Sequence, residues 1–378
     1  MRFWRLPWQR TLGPIGLDLG GNMLRAMQVR QGPDAPTRSV SIAFDDTMSL
    51  SERMRVATNA MRHAGFVGRE VVIGLPSLFA RMHVARLPQI ESQDRSEALA
   101  WEASERAGVP KETLVADAVP TDAPTIGADG REEHLVVSAD QAELTKALDV
   151  LLEAGFEPIA VEPRFASVAR ALSRRTRRDA DRAVLRAVLH IDVCESTVLV
   201  LRGERLAFCR EIPTGGAVLD GAVAIRLGVS VATAHELRLR RMAVVRGVAN
   251  PVDSVMEEPA LAAARPTIDA LAGEVALCLR YFGVTFRGGQ PAKIVVAGPN
   301  AMEPRLAGIL EETCRATIEN FESELPTRAE GLVLPVQAHA HIDHEDAGAW
   351  IAAYGLACRS RNRTHGRVGS PSIEREAA

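Results

Sequence analysis

The chain has 378 residues, enough for two or three domains, and a net charge of −3, which excludes the broad basic face that a nucleic-acid partner would require. With 47% hydrophobic and 4% aromatic residues it reads as an ordinary globular protein, and no apolar run approaches the ~20 residues of a membrane span. Its five cysteines (Cys194, Cys209, Cys278, Cys314 and Cys358) are odd in number and dispersed, which excludes a disulfide framework or zinc knuckle and favours a reducing compartment.

The opening "MRFWRLPWQR" has no apolar core and is not a secretory signal. It is expected to be a flexible basic arm over residues 1–13, although Trp4 and Trp8 beside arginines also suit a membrane surface or a partner. "IGLDLGGNMLRAMQV" (15–29) predicts strand, turn, strand. Leu50, Met54, Ala57, Met61 and Ala64 form one helical stripe closed by Gly65, and "VVIGLP" follows as a buried strand. Trp101 and Glu102 belong to a helix ended by Pro110, with the indole expected against a sheet, and "EEHLVVSA" (132–139) predicts a strand. Leu144, Leu148, Leu151 and Leu152 repeat the helical stripe before "AGF" and the strand "PIAVEP". "SRRTRRDADR" (173–182) has charge without apolar period and reads as an interdomain crossing.

Beyond the crossing, "AVLHIDVCESTVLVLRGERLAFCREIP" supplies three strands, and Asp192 ends the first of them as Asp18 does earlier. That correspondence predicts a duplicated fold with two lobes facing one cleft. A helical region covers about 217–289, "AKIVVAGPN" ends a strand at Gly298, and the tail over 361–378 is expected to be disordered. "TGG" (Thr214, Gly215, Gly216) is either a turn or a place of close approach to a ligand.

The ordered series of these segments resembles the actin-like ATPase superfamily, and within it the type IV pilus assembly PilM family, over about residues 14–360. The resemblance implies an α/β, actin-like fold of ribonuclease H-like duplicated lobes with a small α+β insertion. The first lobe would comprise 14–81 and 161–183, the insertion 82–160, and the second lobe 184–360. It further implies a nucleotide held between paired phosphate hairpins, whose aspartates place water or Mg²⁺ near the terminal phosphates.

Matched residue by residue, the first hairpin keeps Asp18, Gly20, Gly21 and Asn22, with Arg25 in place of a lysine. The second keeps Asp192 (the catalytic candidate were the chain active), Ser196 and Thr197, but has lost its glycine near Cys194 and gained Glu195. An unpaired carboxylate ~4 Å from a phosphate charge costs about 4 kcal/mol at an effective dielectric near 20, roughly a thousandfold in affinity. His235 replaces the family's ribose-binding glutamate, Arg238 its lysine, and Gly298-Pro299 its Gly-Gly adenosine loop; proline removes an N–H donor. ATP and Mg²⁺ are therefore expected to bind weakly or not at all.

The resemblance implies a cytoplasmic scaffold, peripheral to the inner membrane, in the platform that assembles type IV pili or in a related secretion or competence apparatus. Its partners would be the cytoplasmic peptide of a PilN-like membrane protein, which "WRLPWQR" itself resembles, and other platform proteins. The alternative is an active ATPase or kinase of the same superfold. A separate motif, His339, His341, Asp343 and His344, has the HxHxDH spacing of metallo-β-lactamase-like zinc sites but lacks the downstream ligands, and is a weak metal candidate.

Overall fold

The computed structural model describes residues 12–30, 36–44, 47–87, 94–122, 132–173, 183–247, 257–286, 289–321 and 347–359. Residues 1–11 of the N-terminal arm, most of the charged crossing, the tail and all four residues of the HxHxDH motif lie outside the described residues, while Leu12 and Gly13, assigned to the arm from sequence, belong to the first strand.

The first lobe begins with β1 (Leu12–Asp18), β2 (Met23–Arg30) and β3 (Pro36–Ala43), then α1 (Leu50–His63) and β4 (Glu70–Leu75). α1 starts where Ser49 and Glu52 form a capping box: Ser49 N–H donates to Glu52 Oε2 at 2.8 Å while Glu52 N–H donates to Ser49 Oγ at 3.4 Å. Its expected stripe is buried at Leu50, Met54, Ala57 and Met61, and Gly65, with φ 68°, follows the C-terminal residue.

The insertion contributes β5 (Arg81–Leu87), α2 (Arg95–Ala107), β6 (Leu114–Pro120) and β7 (Glu132–Asp140), with a three-stranded sheet in the order β5-β7-β6. Next, α3 (Gln141–Glu153) packs on α1, and β8 (Glu157–Pro163) pairs in parallel with β4. Residues 141–160, assigned to the insertion from sequence, thus belong to the first lobe. The helix–strand pattern there is local, whereas the pairing that decides membership joins β8 to a strand on the far side of the insertion. Two side chains also differ from expectation. Leu152 is 54% exposed, and Trp101, expected to be packed away, is 53% exposed with the Lys111 ammonium 4.4 Å from its ring centroid.

α4 (Arg164–Ser173) ends the first lobe. The second then repeats its plan with β9 (Leu185–Ile191), β10 (Ser196–Arg202) and β11 (Arg205–Ile212). The helices α5 (Gly216–Leu227), α6 (Val231–Val245) and α7 (Glu257–Thr285) follow, then β12 (Lys293–Ala297), α8 (Leu306–Cys314) and β13 (Thr317–Asn320). The five-stranded sheets have matching orders, β3-β2-β1-β4-β8 and β11-β10-β9-β12-β13, each antiparallel in its first two steps and parallel in its last two.

The last helix, α9 (Ile351–Ala357), returns to the first lobe and packs on β1 and α4. Glycines make that return tight: a Cβ at Gly16 would overlap the Ala353 carbonyl oxygen, and one at Gly355 the Ser167 carbonyl oxygen. The insertion leans across to the second lobe, where Asp122 N–H donates to Leu206 O at 2.6 Å and Met82 meets Cys209. Among the described residues no single helix is long and apolar enough to cross a membrane.

Candidate functional site

The two hairpins that carry Asp18 and Asp192 touch where the lobes meet. In the first, Asp18 lies opposite Arg25, and both are buried. A Cβ at Gly20 would overlap the Met23 carbonyl oxygen, so the turn itself demands glycine. The Gly20 and Gly21 carbonyls each accept a 2.9 Å hydrogen bond from Arg53 Nη1, and the Asn22 carbonyl accepts one from Phe44 N–H at 2.9 Å. Arg53 is fully buried, with its guanidinium over the rings of Phe44 and Phe79. The loop is thereby braced from α1.

The second hairpin closes with Asp192 N–H donating to Glu195 O at 2.9 Å. Glycine is missing from the turn but present in the segment packed on it. A Cβ at Gly215 would lie 2.6 Å from Glu195 N and 2.7 Å from Asp192 O, and Gly216 N–H and Ala217 N–H donate to the carbonyls of Asp192 and Val193 at 2.9 and 2.8 Å. The "TGG" glycines are explained by that backbone approach. The first amides of α5, which a helix start would otherwise offer to an anion, are already paired. Ser196 Oγ–H donates to Thr214 O at 2.6 Å. Gly298, with φ 101°, presses on Ile191, and Asn300 Nδ2–H donates to Asp192 O at 3.0 Å. A Cβ at Gly21 would sit 3.1 Å from Val193 Cβ and 3.5 Å from Cys194 Sγ, so the hairpins are in contact.

Between the aspartates lies Arg164. Its Nε–H donates to Asp18 Oδ1 at 3.1 Å and its Nη1–H to Asp192 Oδ2. All three side chains are buried. Burial is the largest influence on both carboxyls. For Asp18 it prevails and raises the pKa; for Asp192 it is outweighed by Arg164, His190, the Val193 amide and Arg25, and the pKa falls. Burial pushes His190 down to about 4, with Arg164 and Arg25 acting in the same sense against Asp192, so its ring is neutral.

Arg164 also borders a cavity of ≈ 20 Å³ at the seam of both lobes and the insertion, shared with Ser77, Glu195, Thr197 and Glu211. Among the described residues Arg164 Nη2 has no hydrogen-bond partner. The space fits one water and no nucleotide. Burial raises the pKa of Glu195 against the opposing effects of a Ser77 hydrogen bond and Arg164. Glu211 is pushed up to about 7 by burial and then by Glu195.

Arg238, placed from sequence at the ribose, is 1% exposed and occupied internally. Nε–H donates to Glu303 Oε2 at 3.0 Å. Nη1 donates to Gly216 O at 2.9 Å and Asp220 Oδ1 at 2.6 Å, and Nη2 to Asn300 Oδ1 at 3.1 Å and Glu303 Oε2 at 2.6 Å. Those bonds match the donors of a guanidinium. His235 bonds Asp220 as well, at 2.9 Å.

The residues as arranged do not fit a Mg²⁺–nucleotide. A guanidinium stands between the two aspartates that would serve the metal, the α5 amides are capped, Arg238 is engaged, and Pro299 offers no N–H. Among the described residues no group of three His, Cys, Asp or Glu side chains is set to hold a metal.

Sequence reasoning missed Arg164, Arg53, Glu211 and Glu303. Arg164 had a signal: a cation on the first residue of a helix opposes the helix dipole and calls for a local anion. The others had none, because their partners come from distant segments.

No protein-family model matches the sequence, and no curated protein matches it significantly. Among solved structures, a chain of a PilM–PilN type IV pilus biogenesis complex aligns with a TM-score of 0.71, covering 92% of this chain and 98% of that one at 20% identity. The chain has the actin-like fold. The ethanolamine utilization protein EutJ from Carboxydothermus hydrogenoformans aligns at a TM-score of 0.53 and 12% identity, over 93% of this chain and 91% of its own. The PilM resemblance read from the sequence thus has a counterpart in the arrangement of both lobes and the insertion.

Proposed function

We propose that the chain is a cytoplasmic scaffold, peripheral to the inner membrane, of the platform that assembles type IV pili or of a related secretion or competence apparatus. On this reading it binds the cytoplasmic peptide of a PilN-like membrane protein and contacts other platform proteins. The observation that carries it is the fold match along 92% of the chain to a protein solved in a PilM–PilN complex. The edge strands β5 and β6 of the insertion favour capture of an extended peptide by strand addition or in an adjoining groove.

The nucleotide cleft is degenerate on this reading. Glu195 was the expected obstacle, yet Arg164 is the larger one, since it takes the place of the ion that Asp18 and Asp192 would share. The alternative, an ATP-hydrolysing protein or kinase with Asp192 as its working carboxylate, draws on the survival of both aspartates.

One experiment separates the two. Fluorescence anisotropy of a labelled PilN-like cytoplasmic peptide is expected to give a Kd on the order of micromolar, while a fluorescent ATP analogue with Mg²⁺ shows no saturable binding in that range. Absent peptide binding, together with micromolar nucleotide binding that Asp18→Ala abolishes, would favour the alternative.

A further inference from the structure

The partners of Arg164 belong to different lobes: Asp18 ends β1 of the first, and Asp192 follows β9 of the second. We propose that Arg164 is a built-in counter-ion that latches the two lobes together, so that the interlobe angle is set by the chain's own side chain and not by a bound small ligand. The inference rests on the degenerate-cleft reading and deepens it by naming what replaces the ligand.

Three features support a latch over an incidental ion pair. The first is charge. Asp18 and Asp192 lie together in a buried site, where two carboxylates without a cation between them repel, and the Arg164 guanidinium is the group that bonds both.

The second is anchorage. Arg164 is the first residue of α4; Ser167 Oγ–H donates to its carbonyl at 2.7 Å, and the glycine face of α9 packs on the Ser167 backbone. The root of the side chain is therefore fixed, and only its tip joins the lobes.

The third is the surrounding contact. Gly21 meets Val193 and Cys194, and Ser77 of the first lobe lines the same small cavity as Arg164 and as Glu195 of the second. The triad thus borders both lobes' surfaces there.

Cys194 provides a reporter. It is exposed, and a cysteine introduced as Gly21→Cys would place its Cβ 3.5 Å from Cys194 Sγ, within reach of a disulfide between the lobes. In the full chain carrying Gly21→Cys, oxidation by 4,4′-dithiodipyridine, with thiopyridone released as the disulfide forms, should link residues 21 and 194 rapidly, as read by peptide mapping over time.

Adding Asp18→Asn, Arg164→Met and Asp192→Asn together removes the triad's three charges at once, leaving Arg25 in place beside it, and should slow linkage about tenfold. A second variant, Asp192→Asn alone, keeps the Arg164–Asp18 pair and removes only the second lobe's half of the latch; it should slow linkage about threefold. Linkage at the parent rate in Asp192→Asn overturns the latch, whether or not the triple variant folds. Saturating MgATP should leave the parent rate unchanged. A rate altered by MgATP would refute the degenerate cleft and leave the latch to be judged by Asp192→Asn.

Discussion

Replacing Arg238 by methionine keeps most of the stem's volume and removes the charge and every donor. Asp220 and Glu303, 6% and 5% exposed, would then lose the cation that bonds both, as would the Gly216 and Asn300 oxygens. Removing one partner of a buried charge set costs about 3–5 kcal/mol, because the remaining charges stay buried. His235 still contacts Asp220, which places the expected loss toward the lower end. At roughly 2–4 °C per kcal/mol for a body of this lobe's size, the second-lobe transition should fall by about 6–12 °C in differential scanning calorimetry. Arg238→Lys keeps the charge but cannot reproduce the fork, and should lose about half as much. Combining Arg238→Met with Asp220→Asn and Glu303→Gln should recover most of the loss, since a neutral buried set carries no stranded charge. An Arg238→Met protein that melts with the parent would refute this account and return the side chain to a ligand-binding role.

Glu211 should make stability fall with pH. Its folded pKa, about 7, lies above the ordinary carboxyl value, so the folded state holds its proton more tightly and this contribution is lost as pH rises from about 4.5 through 7. Glu211→Gln should therefore raise Tm more at pH 8 than at pH 5, and equal gains at both would contradict the assignment. Two glycines of opposite character test the packing argument by urea denaturation. Gly355→Ala drives a Cβ into the Ser167 backbone and should cost about 3 kcal/mol or more, whereas Gly273→Ala in α7, with open space at its Cβ, should gain about 0.5–1 kcal/mol. Ser49→Ala removes the capping box of α1 and should cost about 1 kcal/mol, read as a lower urea midpoint at unchanged slope.

What was legible in the sequence was what neighbouring residues decide. The α1 stripe, its Gly65 terminus and the paired aspartates after matching strands depend on local period and turn chemistry, and the structure has them. The edge strand β13 went unread because its four residues are too few to show a period. The reach of the insertion was misjudged at β8, where the local pattern is that of any helix–strand unit and only the β4 partner reveals its sheet. At the site, the family resemblance exposed the loss of glycine near Cys194 and the drift at His235 and Arg238. It could not show that Arg238 would collect oxygens from α5 and from the loop after β12, or that Arg164 would reach a carboxylate in each lobe. Ion pairing over long separations leaves no period to read.

The placement of α9 bears on how the chain comes off the ribosome. The first lobe's opening strand has its face covered by a helix translated after all the strands of the second lobe, so the first lobe stays unfinished until the second has been made. A truncated product lacking the final described helix would present β1 and α4 uncovered, a sticky surface suited to chaperone capture. Only chains that include α9 could then close the first lobe.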